Sequence, residues 1–276
     1  MPEFLLANEP YIRMTAFASV LVVMALLELA APRRPQNIGR GRRWPSNLSL
    51  VVISALLVKL LIPITAIWLA IWLEGKGYGL FNVIELPGWL AVLLTVALLD
   101  LVIYAQHVTF HHVPVLWRLH RMHHADIEID VTTGIRFHPV EIVLSMLIKL
   151  AAVAVLGAPA LGVLLFEILL NGTAMFNHSN VKLPLGLDRV LRLVVVTPDM
   201  HRVHHSIVAR ETHSNFGFSL PFWDRLFGTY RDQPAAGHDD MTIGLPEFRD
   251  PAELRLDRLL TQPWRDDTAQ RPKSRT

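Results

Sequence analysis

The sequence predicts an all-α membrane protein with about four to five membrane-embedded helices and a cytosolic helical cap. Its composition is the first indication, because 52% of the 276 residues are hydrophobic and the mean hydropathy is +0.36. A soluble domain of this size is ordinarily less apolar. Several apolar runs also reach the roughly 20 residues that a helix needs to cross about 30 Å of hydrocarbon. The third indication is a set of histidine clusters that begins where one of these runs ends.

Three apolar runs are predicted to cross the membrane, at residues 14–31, 48–73 and 89–105. A fourth apolar region, residues 140–176, is interrupted by Gly157, Ala158 and Pro159. Because glycine and proline end helices, this region is predicted to be a helical hairpin that crosses and returns. The N-terminus lacks a basic segment and a small-residue cleavage site, so we expect the first run to stay in the mature protein.

The orientation in the membrane is predicted from basic residues between the first two runs. Positively charged loops remain in the cytoplasm, so this loop is expected there. Alternation of the spans then places every histidine cluster on the cytoplasmic side of a multi-pass integral membrane protein. The basic residues are Arg33, Arg34, Arg40, Arg42 and Arg43.

The absence of cysteine and the small net charge exclude several kinds of function. The chain has no cysteine, which excludes thiolate metal sites, iron–sulfur clusters, thiol nucleophiles and disulfides. Any bound metal must therefore be held by nitrogen and oxygen. A net charge of +2 is too small to indicate a nucleic-acid partner.

Eight histidines form three short motifs: one HxxxH and two HxxHH. Positions i, i+3 and i+4 share one face of a helix, so each motif can present several imidazoles together. Eight ligands are too many for one ion, and the number favours a site with two metal ions. Chance placement of interfacial or core histidines is the alternative, and repetition at one membrane face argues against it. The eight are His107, His111, His120, His123, His124, His201, His204 and His205.

Two further histidines are candidate ligands. His178 follows the returning helix of the hairpin, and a ligand role is favoured over a capping role. His138 precedes Pro139 at a predicted helix start, where a structural role explains it equally well. His112 points away from the HxxxH face, and His213 and His238 are predicted to be surface residues.

Asp100 and Tyr104 lie on one helical stripe with the HxxxH motif. An ionisable group inside an apolar span ordinarily has a functional partner, so Asp100 is predicted to orient a histidine ligand from a second shell that includes Tyr104. The alternative is a carboxylate paired with Lys59 or Lys149. The same two alternatives, orienting a ligand or pairing with a lysine, apply to Glu167.

The chain resembles the fatty acid hydroxylase superfamily, also called the sterol desaturase family. The resemblance extends from about Asp100 to Pro246 and rests on the three histidine motifs together with other segments. These segments are Arg136-Phe137-His138-Pro139-Val140-Glu141, Asn177-His178-Ser179-Asn180, Thr197-Pro198, Asn215-Phe216-Gly217 and Trp223-Asp224-Arg225-Leu226-Phe227-Gly228-Thr229-Tyr230. It implies that the eight motif histidines are metal ligands, with His178 beside them.

One position departs from part of that family. Fatty acid 2-hydroxylases have a second HxxxH before the last cluster, and Ala174 stands at the first of those positions here. The segment around His138 is more similar to sterol desaturases and alkylglycerol monooxygenases, which places His138 in the implied ligand set.

The resemblance implies a non-haem di-iron oxidoreductase that hydroxylates or desaturates a lipid with O2 as co-substrate. The lipid classes it leaves open are sterols, fatty acyl chains and alkylglycerols. Electrons are expected from a separate donor of the cytochrome b5, ferredoxin or reductase type. Zinc is an alternative metal in the purified protein. The competing functions are a zinc-dependent membrane hydrolase with a metal-activated water and a non-catalytic metal-binding membrane protein.

Three regions are predicted on this basis. Residues 1–87 form the N-terminal transmembrane helices, residues 88–246 the catalytic domain with the histidine motifs, and residues 247–276 a polar C-terminal tail. Within the tail, residues 265–276 have the composition of a disordered segment.

Overall fold

A computed structural model describes residues 2–84 and 86–266. In this part of the chain the regular elements are all helical, and the only β-pairing is two isolated bridges. The first eight helices are α1 Pro2–Ala30, α2 Arg40–Leu61, α3 Ala66–Lys76, α4 Leu80–Val83, α5 Gly88–His112, α6 Pro114–His124, α7 Pro139–Leu156 and α8 Ala160–Asn177. Six shorter ones follow: α9 Leu185–Leu191, α10 Pro198–His204, α11 Ala209–Thr212, α12 Phe222–Leu226, α13 Gly237–Asp240 and α14 Leu256–Thr261.

Among the residues that the structure describes, five segments are long and apolar enough to cross a membrane, which confirms the predicted all-α membrane fold. By length and composition they are Glu3–Ala30, Arg40–Val83, Gly88–His112, Pro139–Leu156 and Ala160–Asn177. The predicted hairpin corresponds to α7 and α8. Gly157 ends α7 in a left-handed conformation with φ 59°, and Pro159 precedes the first residue of α8.

The second segment differs from the single helix that was predicted for residues 48–73. α2 ends at Leu61, before Pro63, and α3 starts after Thr65, whose side chain accepts a hydrogen bond of 3.1 Å from the Trp68 amide. A proline lacks the amide hydrogen that a continuous helix needs and restricts the residue before it. The apolar run is therefore divided between two helices.

The predicted loop of five arginines has structural roles besides charge. Arg43 is completely buried, and Arg33 and Arg40 are also held by carboxylates. The ion pairs are Arg33 with Asp199, Arg40 with Glu28, and Arg43 with Asp126 and Asp130. These arginines would be needed in either orientation, so the cytoplasmic placement of this loop stays a prediction.

A cap formed by α6 and the shorter helices covers one end of the bundle. The region predicted as a polar tail contributes to it, because Leu259 of α14 is fully buried against Leu50 of α2 and Met122 of α6. Most of the stretch predicted to be disordered, residues 267–276, lies outside the described residues. The helix ends and the cap together enclose the histidines.

Candidate metal centre

Nine of the ten predicted ligands lie together in two adjacent, buried groups. Within each group, one ring nitrogen from every histidine lies within 4.8 Å of the others, so each group could hold a metal ion. The first group is His107, His111, His120, His124 and His204. The second group is His123, His178, His201 and His205.

Each HxxHH motif contributes to both groups. In α6, His120 and His124 face the first group, whereas His123 faces the second. In the motif of α10 the assignment is reversed, because His201 and His205 face the second group and His204 the first. Residues four apart lie nearly above one another on a helix, and the residue between them points to one side. The two motifs are therefore interleaved.

The remaining ligand positions come from the ends of two spanning helices. His107 and His111 are separated by four residues in the last turns of α5, and both face the first group. His178 caps the C-terminus of α8 and faces the second group. The centre therefore lies where the spanning helices meet the cap.

Hydrogen bonds at the outer ring nitrogen fix three of these imidazoles. The Nδ1–H of His107 donates to the Phe216 carbonyl, and that of His178 to the Ala174 carbonyl, both at 2.7 Å. His204 donates in the same way to the Ser214 carbonyl at 2.7 Å. A carbonyl can only accept, so Nδ1 carries the proton and Nε2 presents a lone pair to the interior of the centre.

Two more imidazoles are fixed by segments that follow the first HxxHH motif. The Nδ1–H of His120 donates to the Glu141 carboxylate at 2.7 Å, at the start of α7. The Nδ1 of His123 lies 3.2 Å from the Arg136 carbonyl. The carboxylate makes the His120 imidazole more electron-rich, which strengthens it as a metal ligand.

The inward-facing nitrogens are arranged for a cation. The Nε2 atoms of His107 and His204 are 3.1 Å apart, and those of His123 and His178 are 3.0 Å apart. Since all four carry lone pairs, these close approaches are unfavourable without a shared positive charge. Two imidazole nitrogens bound at right angles, each about 2.1 Å from one ion, would be about 3.0 Å apart.

Several other ring nitrogens are buried without a hydrogen-bond partner. Both nitrogens of His111 and His205 and the Nε2 of His124 are in this state. Buried polar atoms are nearly always paired, and coordination to metal would pair one nitrogen of each of these rings. Burial also lowers the pKa of His205 and His124 well below the ordinary value and that of His178 to about 3, so the rings are neutral, as metal binding requires.

A buried ion network holds the turn between α6 and the Arg136 carbonyl. Arg43 donates to Asp126 at 2.7 and 3.0 Å and to Asp130 at 2.5 Å, while Thr133 donates to Asp126 at 2.8 Å. The Arg136 side chain donates back to the Met122 carbonyl at 3.1 Å. The arginines keep the pKa of Asp126 below its usual value despite complete burial. This network positions the carbonyl that contacts His123.

His138 does not join either group, so it is removed from the predicted ligand set. Its Nδ1 accepts a hydrogen bond of 3.2 Å from the Val140 amide, and its Nε2 donates to the Leu260 carbonyl at 3.2 Å. Both ring nitrogens are thus used in capping α7 and fastening α14. The structural alternative explains this residue.

Asp100 and Tyr104 do not contact a histidine, contrary to the prediction that they orient a histidine ligand. Asp100 accepts hydrogen bonds from the Ser219 and Leu220 amides at 3.3 and 3.1 Å and from the Trp223 indole at 3.0 Å. The Tyr104 hydroxyl lies 2.8 Å from the Thr229 hydroxyl. Both therefore support the loop that supplies the Phe216 carbonyl. Lys149, the alternative partner for Asp100, pairs with Glu167 instead.

The other histidines divide into exposed and buried ones. His213 is exposed as predicted, although its ring centroid is 5.5 Å from that of His111. His238 was predicted at the surface but is buried, 3.7 Å from the Asp199 carboxylate, and burial lowers its pKa to about 4. Its neighbour Arg34 donates to its carbonyl at 2.9 Å, which ties this residue to the α1–α2 loop.

Sequence reasoning missed the role of Glu141 and of the Arg43–Asp126 pair. Glu141 belongs to a motif that was recognised, and a carboxylate in the first turn of an apolar helix was a usable signal. Asp126 follows the first HxxHH motif after one residue. Nothing local identified Arg43, which lies 83 residues away from Asp126.

Comparisons with known proteins point to one family. A family model described as fatty acid hydroxylase matches residues 92–229, half of the chain. Ornithine lipid hydroxylase OlsE of Rhizobium tropici is 30% identical over 152 residues, which cover 55% of this chain and 45% of that protein. Alkylglycerol monooxygenase of Danio rerio is 31% identical over 159 residues, covering 54% of this chain and 33% of that protein.

A very-long-chain aldehyde decarbonylase of Oryza sativa subsp. indica, GL1-1, is 28% identical over 192 residues, which cover 62% of this chain and 30% of that protein. The chain spans less than half the length of each of these relatives. No solved structure matches it.

Proposed function

Because the chain belongs to the fatty acid hydroxylase family, we propose that it is a membrane-bound oxidoreductase that oxidises a lipid with O2 at a pair of iron ions. The observation that carries this proposal is the pair of buried histidine groups at one end of a membrane-embedded bundle. Imidazole suits iron, copper and zinc, and among these only iron and copper can change oxidation state to activate O2. Family membership supports iron. All nine grouped histidines are proposed ligands, five to one ion and four to the other.

The chemistry that the bound ions would supply is activation of O2 for attack on an unactivated carbon–hydrogen bond. For a hydroxylation, the lipid and O2 consume two electrons and two protons and give the hydroxylated lipid and water. The electrons are assigned to a separate donor of the cytochrome b5, ferredoxin or reductase type. We place this donor and the histidine site on the cytoplasmic side, and we expect no nucleic-acid partner.

The residues of the chain itself would hold the ligands and exclude water. Phe137 stacks on His123 with ring centroids 4.5 Å apart, and Phe218 lies 5.1 Å from His107. Phe218 also belongs to the apolar core of the helix bundle, together with Leu99 and Ile103 of α5. Apolar packing thus continues from the membrane helices to the histidine rings. This continuity supports a lipid chain, rather than a polar metabolite, as substrate.

The relatives narrow the choice of lipid. Their names include an ornithine lipid hydroxylase, an alkylglycerol monooxygenase and a fatty acid hydroxylase. We therefore propose that the substrate is the acyl or alkyl chain of a polar lipid and that the product is hydroxylated. The test could instead show oxidation of a sterol, or formation of a double bond in place of a hydroxyl group.

The test uses protein purified from iron-supplemented cells and incorporated into bilayer discs. Metal content is measured first, and then ¹⁸O2 uptake and label in the extracted lipids are followed after chemical reduction. We expect two irons per chain and one ¹⁸O in a lipid product. His123→Ala should abolish both the uptake and the label, whereas His112→Ala, an exposed neighbour outside both groups, should preserve them.

Two results would reject the proposal. One is tightly bound zinc that iron cannot replace, combined with turnover of a lipid ester without O2. The other is stable binding of two irons with no O2 uptake under any reductant or lipid mixture. The first result would assign the site to a metal-dependent hydrolase.

A further inference from the structure

Two short segments of the cap expose apolar side chains although neither belongs to the five candidate spans. On and after α9, five side chains are each at least 47% exposed: Leu185, Leu187, Val190, Leu193 and Val194. On and after α12, Phe222, Leu226 and Phe227 are between 41% and 66% exposed. An apolar surface on this scale is expected to be covered.

The two segments form one surface. The Val196 amide donates to the Ser219 carbonyl at 3.0 Å, and the Arg225 guanidinium donates to the Arg192 carbonyl at 2.8 Å. We call the eight exposed side chains the apolar face of the cap. Since hydrogen bonds join its two segments, they can enter one environment together.

The second segment descends alongside the spanning helices. Ser219 and Leu220 donate backbone hydrogen bonds to Asp100, which lies twelve residues from each end of α5. With a rise of about 1.5 Å per residue, this is roughly 18 Å below the end of the helix. The Ser219 hydroxyl also lies 2.9 Å from that of Thr173 in α8. The loop before α12 therefore lies at the depth of the membrane-spanning segments.

The polar backbone of this loop is satisfied by two buried carboxylates. Besides the contacts with Asp100, the carboxylate of Asp224 accepts hydrogen bonds from the Phe216 and Gly217 amides at 2.8 and 2.9 Å. Irregular backbone is tolerated at membrane depth only where its N–H groups find partners within the protein. This requirement gives Asp100 a reason to lie inside an apolar helix.

From these contacts we propose that the apolar face of the cap is embedded in the bilayer. Residues 185–194 would lie in the interface, and the side chains of Phe222, Leu226 and Phe227 would enter the hydrocarbon next to α5 and α8. The exposed cations Lys182 and Arg189 flank the first segment, where they could contact lipid phosphates. Exposed Leu165 and Leu169 of α8 present a further lipid-facing surface on the helix that the loop contacts. This continuity favours lipid over a second copy of the chain as the occupant.

The absence of cysteine allows a direct test, because one introduced cysteine is the only thiol. Val194→Cys and Leu226→Cys would each carry a nitroxide spin label in the full chain, reconstituted into phosphatidylcholine–phosphatidylglycerol vesicles. Leu147→Cys, halfway along α7 and 49% exposed, is the lipid control. Arg255→Cys, with a side chain 71% exposed in the cap, is the aqueous control. The measured quantities are collision rates with O2, which concentrates in lipid, and with a water-soluble nickel chelate.

We expect the Leu226 label to match the Leu147 label, with frequent O2 collisions and background collisions with nickel. The Val194 label, in the interface, should give rates between those of the Leu147 and Arg255 labels for both reagents. Collision rates like those of the Arg255 label at both positions would overturn the proposal. So would protection from both reagents together with spin–spin coupling between copies, which would assign the face to self-association. Because the measurement needs neither bound metal nor turnover, its result is independent of the proposed oxidase activity.

Discussion

The two histidine groups draw on the same two cap helices but are held in different ways. In the first group, the outer nitrogens are fixed by the Glu141 carboxylate and by carbonyls of the loop at Ser214 and Phe216. In the second group, the contacts are the carbonyls of Arg136 and Ala174. One group therefore depends partly on a charged side chain, and the other depends on the positions of two peptide units.

This difference shows which substitutions should disturb each histidine group. The Ala174 carbonyl is packed under Gly134, where a Cβ atom would lie only 2.3 Å from the carbonyl oxygen. The Arg136 carbonyl follows the turn that the Arg43–Asp126 network holds. Disturbing the fold of residues 126–136 should thus affect the second group first. Removing a charge at Glu141 should affect the first.

The largest effect is expected from His178→Ala. This change removes one of four proposed ligands in the second group and leaves the first group intact. Bound iron should fall from two ions to one per chain, and lipid oxidation should be lost, because the proposed reaction uses both ions. Metal analysis after dialysis against a chelator measures the stoichiometry. His138→Ala is the matched control and should retain both ions, since His138 uses its ring nitrogens in protein hydrogen bonds.

The next effect concerns the network behind the second group. Arg43→Leu would remove the closest cation from two buried carboxylates, Asp126 and Asp130. Asp126 would keep only Arg136, at 3.8 Å. Breaking a buried pair in this way costs about 3–5 kcal/mol. Denaturant unfolding of the detergent-solubilised protein would measure the loss. Arg42→Leu removes the same charge from an exposed neighbour and should change stability little. Equal losses in the two variants would contradict the structural role of Arg43.

A smaller effect is expected when the first group loses its carboxylate. Glu141→Gln keeps a hydrogen-bond acceptor for His120 but removes the negative charge. Changes to such outer partners lower metal affinity or activity by about 10- to 100-fold. Competition with a metal chelator would measure the affinity of each ion separately. Glu253→Gln is the control, because Glu253 is a partly buried carboxylate of the cap that pairs with Arg265 and belongs to neither histidine group. An equal weakening of the second ion would argue against the assignment of Glu141 to the first group.

The smallest effect is expected at Tyr104, and it tests whether this residue supports the loop or takes part in the metal site. Tyr104→Phe removes one hydrogen bond to Thr229, worth about 0.5–1.5 kcal/mol of stability. Metal content and the lipid oxidation rate should stay unchanged, because the Tyr104 hydroxyl does not contact a histidine. A large fall in the lipid oxidation rate at unchanged stability would instead support the predicted role of Tyr104 in orienting a histidine ligand.

Local patterns predicted the parts of the molecule that depend on nearby residues. Apolar run length identified the membrane helices, and the HxxxH and HxxHH spacings identified the eight histidines that the structure brings together. The break before Pro63 was missed because the apolar run continues across it. The sequence favours a ligand role for His178 and leaves both roles open for His138, because each is a single histidine at a helix end. Only the position of that end relative to α10 distinguishes them.

Long-range partners were beyond the reach of sequence reasoning. Asp100 was expected to contact its own helical stripe, and it contacts residues about 120 positions later instead. The division of each HxxHH motif between the two histidine groups was likewise hidden. Residues i+3 and i+4 lie on opposite sides of residue i, and which neighbour each one faces depends on how α6 and α10 pack together.

The interleaving of the two motifs has a consequence for how the centre fills and how it could change. An ion bound to one group would hold α6 and α10 in position and thereby organise the donors of the other group, so we expect the two ions to bind with positive cooperativity. Neither motif can be deleted to leave a simpler site with one metal, since each supplies both groups. Loss of a whole motif is therefore expected to cost both ions, whereas loss of a single histidine is expected to cost only the ion of its own group.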